Sequence, residues 1–163
     1  MWKVTSLQSG IRIANFALGK VSSIEGNSDR IRSWNYGEIE LSDGRLLGIY
    51  ARWWPRVGSQ WEAYQDSYLR NLPTDHCRVY YAFPIRAPGF MSVLYARSGP
   101  NTQYKTLYRA VVVMEEIAML RESNAIVCQA IGPRTTERLM NRWGYVSHAP
   151  ALGDNHYIKR LKH

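Results

Sequence analysis

The sequence predicts an α+β fold in which helices flank a central mixed, mostly antiparallel sheet. Three observations carry that reading. Residues 103–122 hold apolar side chains at helical spacing, with Leu107, Val111, Met114 and Ala118 on one face. A short apolar run, Ala125-Ile126-Val127-Cys128-Gln129-Ala130-Ile131, has the character of a strand buried on both faces. Residues 38–50 alternate around Ser42-Asp43-Gly44, where Asp-Gly supplies the positive φ that a tight hairpin turn needs.

The remaining elements follow in chain order. Residues 1–33 give the weakest signal: Ile11 to Phe16 alternates faintly like a strand, and Ser22 to Ser33 reads as a polar loop. After the hairpin, Pro55 and Gly58 break the chain. A helix is expected from Ser59 to Leu72, with Trp61, Tyr64, Tyr68 and Leu72 on one side. Residues 78–83 and 91–97 are rich in β-branched and aromatic residues and read as strands separated by Pro84, Pro88 and Gly89. In the helix over 103–122, Tyr104 and Tyr108 extend the apolar face. Gly132-Pro133 opens a second helix, in which Leu139, Met140 and Trp143 face inward and Gly144 is the left-handed cap. Tyr145-Val146 and residues 157–161 read as a closing strand pair. With no repeat and no linker, residues 1–163 are expected to form one domain.

Composition excludes several classes. The chain is 45% hydrophobic and 21% charged, with no low-complexity tract. No stretch approaches the roughly 18 apolar residues of a membrane span. Gln8, Ser9, Arg12 and Asn15 stand where a secretory signal would be apolar. Two cysteines make no disulfide framework, so a cytoplasmic location is expected. The net charge of +8 comes from 21 bases, 16 of them Arg, and is densest from Arg134 onward. Such a field attracts nucleic acid, a phosphate-bearing ligand or an acidic protein, and Arg favours oxyanions it can grip in pairs.

The strand, helix, strand, helix, strand, strand order over about residues 90–162 contains Glu137-Arg138-Leu139-Met140-Asn141-Arg142-Trp143-Gly144-Tyr145-Val146. It resembles the C-terminal half of the GNAT-like acyltransferase superfamily, where a helix ends in an aromatic-flanked Gly turn before an antiparallel pair. Residues 124–162 also resemble a group of short bacterial proteins of the planctomycete kind, which implies no activity. The first resemblance implies an acyl-CoA donor, an amine acceptor and a loop whose backbone N–H groups cradle pyrophosphate at a helix N-terminus. Arg97-Ser98-Gly99-Pro100-Asn101-Thr102 stands at that loop, making Arg97, Ser98, Gly99, Asn101 and Thr102 the candidate cofactor-binding residues. Its spacing departs from the usual Arg/Gln-x-x-Gly-x-Gly/Ala pattern, and Pro100 has no N–H to offer. Gly132-Pro133 replaces a common Asn, and Met140 replaces the Tyr that commonly protonates the leaving thiolate.

Other residues carry chemistry of their own. His148 and His156 flank the loop between the last two strands and are the candidate catalytic bases. His76, Cys77, Cys128, His148 and His156 show no metal-ligand spacing, and no metal is expected. A Cys/His nucleophilic pair using Cys77 or Cys128 is open, although Cys128 in a central strand reads as a small buried hydrophobe. Arg134, Arg138 and Arg142 recur every four residues, and Lys159, Arg160 and Lys162 extend that basic face if the last strand lies close. Trp53-Trp54 with Arg52 and Arg56 is a second place for stacking plus charge. Two function classes therefore stand: acyl transfer from acyl-CoA to an amine, and a non-catalytic module binding nucleic acid or an acidic protein through the Arg face.

Overall fold

The computed structural model describes residues 19–52, 75–129, 135–148 and 155–162. The expected strand at 11–16, the helix at 59–72 and the Gly132-Pro133 helix start lie outside them. The elements are β1 (Gly19–Val21), α1 (Ser28–Arg32), β2 (Tyr36–Ser42), β3 (Arg45–Ala51), β4 (His76–Ala82), β5 (Phe90–Ser98), α2 (Tyr104–Leu120), β6 (Ala125–Gln129), α3 (Glu137–Arg142), β7 (Val146–Ser147) and β8 (His156–Arg160). The strands form one sheet in the order β1-β3-β2-β4-β5-β6-β8-β7. All pairs are antiparallel except β5–β6, which α2 connects. This is the mixed, mostly antiparallel α+β fold that the sequence predicts.

Local chemistry explains most boundaries. Asp43 and Gly44 both have positive φ, so the β2–β3 hairpin turns where Asp-Gly stands. Residues 22–33, expected as loop, instead contain α1, whose Ile31 is fully buried and anchors that short turn of helix to the core. Helix α2 buries Ala110, Val111, Val113, Met114, Ile117 and Ala118. It lies across β2, β3, β4, β5 and β6 and also touches α1. It ends in a left-handed Glu122, with the Ser123 N–H donating to the Ala118 carbonyl at 3.0 Å. Arg32 Nε donates to the Leu120 carbonyl at 2.9 Å, and Arg121 donates to the Arg32 carbonyl, so the end of each helix is bonded to the other.

One strand-level expectation changes. The strand at 125–131 is described as β6 up to Gln129, and it is buried at Ala125 and Ile126 but opens toward its carboxyl end. Strand β4 pairs with β2, not with β3, which precedes it. Gly37 permits that pairing: a Cβ there would run into the Tyr81 ring, which is itself buried in the core.

The helix expected from Pro133 begins at Glu137, because Thr136 is its N-cap and accepts from the Leu139 N–H at 3.3 Å. Trp143 is buried and its indole N–H donates to the Tyr104 hydroxyl at 3.2 Å. Gly144 has φ +82°, and the Tyr145 N–H reaches back to the Met140 carbonyl at 3.0 Å. Trp143→Ala should therefore cost about 3–5 kcal/mol, and Gly144→Ala about 1 kcal/mol or more. Urea unfolding followed by circular dichroism reads both; equal midpoints for the two variants would mean that the indole is no part of the core.

Candidate functional site

The parallel pair organises one end of the sheet. Strands β5 and β6 pair only over Phe90–Val93 and Ala125–Cys128. Beyond Val93, β5 runs on to Ser98 with β4 alone as its partner among the described strands, while β6 turns to β8, setting Gln129 against His156. The carboxyl ends of these two parallel strands are the side on which open sheets present their ligand crevices.

His148 and His156 lie at this end. The His148 N–H donates to the His156 carbonyl at 2.8 Å, so backbone pairing holds the two residues adjacent. The His148 side chain is exposed and that of His156 half-buried.

Residues 97–102 also lie at this end, between β5 and α2, but their backbone donors are turned inward. The Gly99 N–H donates to the His76 carbonyl at 3.3 Å and the Thr102 N–H to the Gly99 carbonyl at 3.1 Å. The Gln103 N–H, at the N-cap of α2, donates to Asp75 Oδ1 at 3.0 Å, and Thr106 Oγ1 donates to Asp75 Oδ2 at 2.7 Å. A buried carboxylate thus stands where the helix dipole would otherwise favour an external anion. The N–H cradle that the resemblance implies does not fit this turn; a phosphate near it would have to be met by side chains.

A cluster that the sequence reading did not assemble lies on the sheet face opposite α2. Ile39, Leu41, Val79 and Tyr81 point into the core under α2, so strand alternation turns Glu38, Glu40 and Arg78 the other way. Glu38 is 1% exposed and is paired with Arg52 and, at 3.6 Å, with Arg78 Nε. Glu40 accepts from Arg78 at 2.7 Å and from the Tyr50 hydroxyl at 2.8 Å, and its Oε1 is 3.2 Å from His76 Nε2. The His76 hydrogen bond first, with Arg78 and Tyr50 behind it, outweighs burial and holds the Glu40 carboxyl well below the usual carboxylate range. The signal was present as period-two charge, Glu38-x-Glu40 against His76-x-Arg78. Only the β2–β4 register, which sets Glu40 against Arg78, reveals the match.

The cysteines are inert. Burial, with Asp75 adding to it, pushes the Cys77 thiol up to about 12, and burial alone does the same at Cys128. Neither supplies a thiolate near neutral pH. No three His, Cys, Asp or Glu side chains converge among the described residues.

The expected basic face is divided. Arg138 and Arg142 are exposed on α3. Lys159 is engaged by Glu115 and the Trp143 carbonyl, and Arg160, one residue on in β8, points to the opposite sheet face. Arg134 lies outside the described residues, as do Trp53, Trp54 and Arg56; Arg52 belongs to Glu38. No described helix is long and apolar enough to cross a membrane.

No protein-family model matches the chain, and no curated protein matches its sequence. Among solved structures, the chain is similar to nourseothricin acetyltransferase at 10% identity, with a TM-score of 0.46 over 88% of this chain and 98% of that one.

The lowered acidity of Glu40 sets a pH dependence. A carboxyl held below its ordinary value of 4.5 contributes its full stabilisation above that value and loses it as pH falls. The urea midpoint should therefore fall progressively as the pH is lowered below about 5. Glu40→Gln should flatten that drop while lowering the midpoint at pH 7. An unaltered acid limb in the variant would place the titration on other groups.

Proposed function

We propose that this chain transfers an acyl group from an acyl-CoA thioester to an amine, with the thioester arm lying at the carboxyl ends of β5 and β6. The observation that supports this reading is the pairing of His148 with His156, which holds two histidines adjacent at that end of the sheet, next to the one parallel strand pair among the described residues. In the reaction the amine nitrogen bonds to the thioester carbonyl carbon, and its proton passes to an imidazole. The carbon–sulfur bond breaks, and the thiolate leaves and takes a proton. Arg97, Ser98 and Asn101 would meet the phosphates through side chains, while the Thr102 hydroxyl donates to the His76 carbonyl at 2.7 Å and, with Gly99, shapes the turn.

A second reading is favoured by one observation, the Asp75 carboxylate at the start of α2. A module without acyl chemistry, contacting nucleic acid or an acidic protein through Arg138 and Arg142, needs no phosphate cradle there.

Acetyl-CoA in millimolar excess should raise the melting temperature, since a ligand of the folded state stabilises it by mass action. Arg97→Ala should shrink the shift, and His148→Gln with His156→Gln should abolish transfer while leaving the shift. Absence of any shift with short acyl-CoAs at low salt would overturn the acyl-transfer reading.

A further inference from the structure

Tyr104 and Tyr108, expected on the apolar face of α2, are instead 44% and 48% exposed. Their rings lie parallel within 9°, with centroids 6.1 Å apart. The Tyr104 ring is fixed from behind: its hydroxyl accepts from Trp143 Nε1 at 3.2 Å, and the indole lies 6.2 Å away. Arg142 sets its guanidinium 5.4 Å from the Tyr104 centroid, and Arg138 is exposed one turn earlier on α3. Neighbouring bases are neutralised, Lys159 by Glu115 and Arg109 by Glu116. No described acid forms an ion pair with Arg138 or Arg142.

We propose that Tyr104, Tyr108, Arg138 and Arg142 form a stacking platform for the unpaired bases of a single-stranded nucleic acid. The proposal rests on the second reading above and names its ligand. Tyr108 offers an exposed ring face at little entropic cost beside Tyr104, Arg142 lies over the Tyr104 ring, and the two arginines of α3 meet the phosphates between successive bases. An acidic peptide would satisfy the arginines but leave both rings uncovered. A duplex would satisfy the arginines but keep its base faces hidden in its own stack. Unpaired bases use both halves of the platform.

Fluorescence anisotropy with a labelled oligothymidine of about 12 nucleotides, and a duplex of equal length, tests this at low and moderate salt. The full-length chain should bind the single strand more tightly than the duplex. Tyr108→Ser, which removes no hydrogen bond the fold uses, should weaken single-strand binding about tenfold, and the Tyr104→Ser, Tyr108→Ser pair by more. Phe at both positions keeps the rings and should keep the binding. Arg142→Gln should make the salt slope shallower by about 0.7. Circular dichroism melts confirm that each variant is folded. Binding that is insensitive to the Ser variants but lost in Arg138→Gln, Arg142→Gln would overturn the stacking platform and leave the basic-face reading standing. Equal affinity for duplex and single strand would overturn it in the same way. No binding of either at low salt would overturn both.

Discussion

Asp75 ties together the parts on which the rest of the chain depends. Its carboxylate accepts from the Gln103 N–H at the N-cap of α2 and from Thr106 Oγ1, while its backbone carbonyl accepts from the Asp43 N–H and the Ser42 hydroxyl. Thr106 Oγ1 in turn accepts from the Gly44 N–H. One residue thus links the hairpin turn, the entry to β4 and the start of the long helix. Its nearly complete burial is tolerable because both oxygens are bonded. The seating of α2 on five strands follows from that clasp, since the helix can lie in one position only once its first turn is held.

The same residue shapes the chemistry of that end. A helix start already holding a carboxylate is a poor place for a second anion, and the inward N–H groups of Gly99 and Thr102 reinforce that. What stays exposed beside it is the tyrosine-bearing flank of α2. The opposite face of the sheet carries a different constraint. Glu38 and Glu40 share Arg52, Arg78, Tyr50 and His76 in a connected set. Removing Arg52 or Arg78 takes a partner from a buried carboxylate, so the members depend on one another.

What the sequence made legible was whatever depends on near neighbours in the chain. The α2 periodicity, the Asp43-Gly44 turn and the Gly144 cap each need only a few adjacent residues. Helix α1 escaped because five residues with one buried anchor, Ile31, give no period to detect. Tyr104 and Tyr108 were expected on the apolar stripe of α2, but they lie outside its buried face, because periodicity does not show where the core ends. Glu38 and Glu40 alternate with Ile39 and Leu41 as any solvent-facing positions would; partners from β3 and β4 are what make them interior. At the candidate site, the histidine pair was visible from its loop. The capping of α2 by a residue 28 positions upstream of Gln103 was not. Tertiary contacts decide those cases, and no window along the chain contains them.

The two outermost strands carry a consequence of their own. An open sheet exposes a row of unsatisfied amides along each margin, and a long flat margin templates the addition of strands from other molecules. Among the described residues the outer strands are Gly19–Val21 and Val146–Ser147, three and two residues long. Margins that short are poor templates for an intermolecular ladder, while the long strands β2 and β4 have a neighbouring strand on each side. The described margins of this broad sheet thus resist polymerisation through brevity.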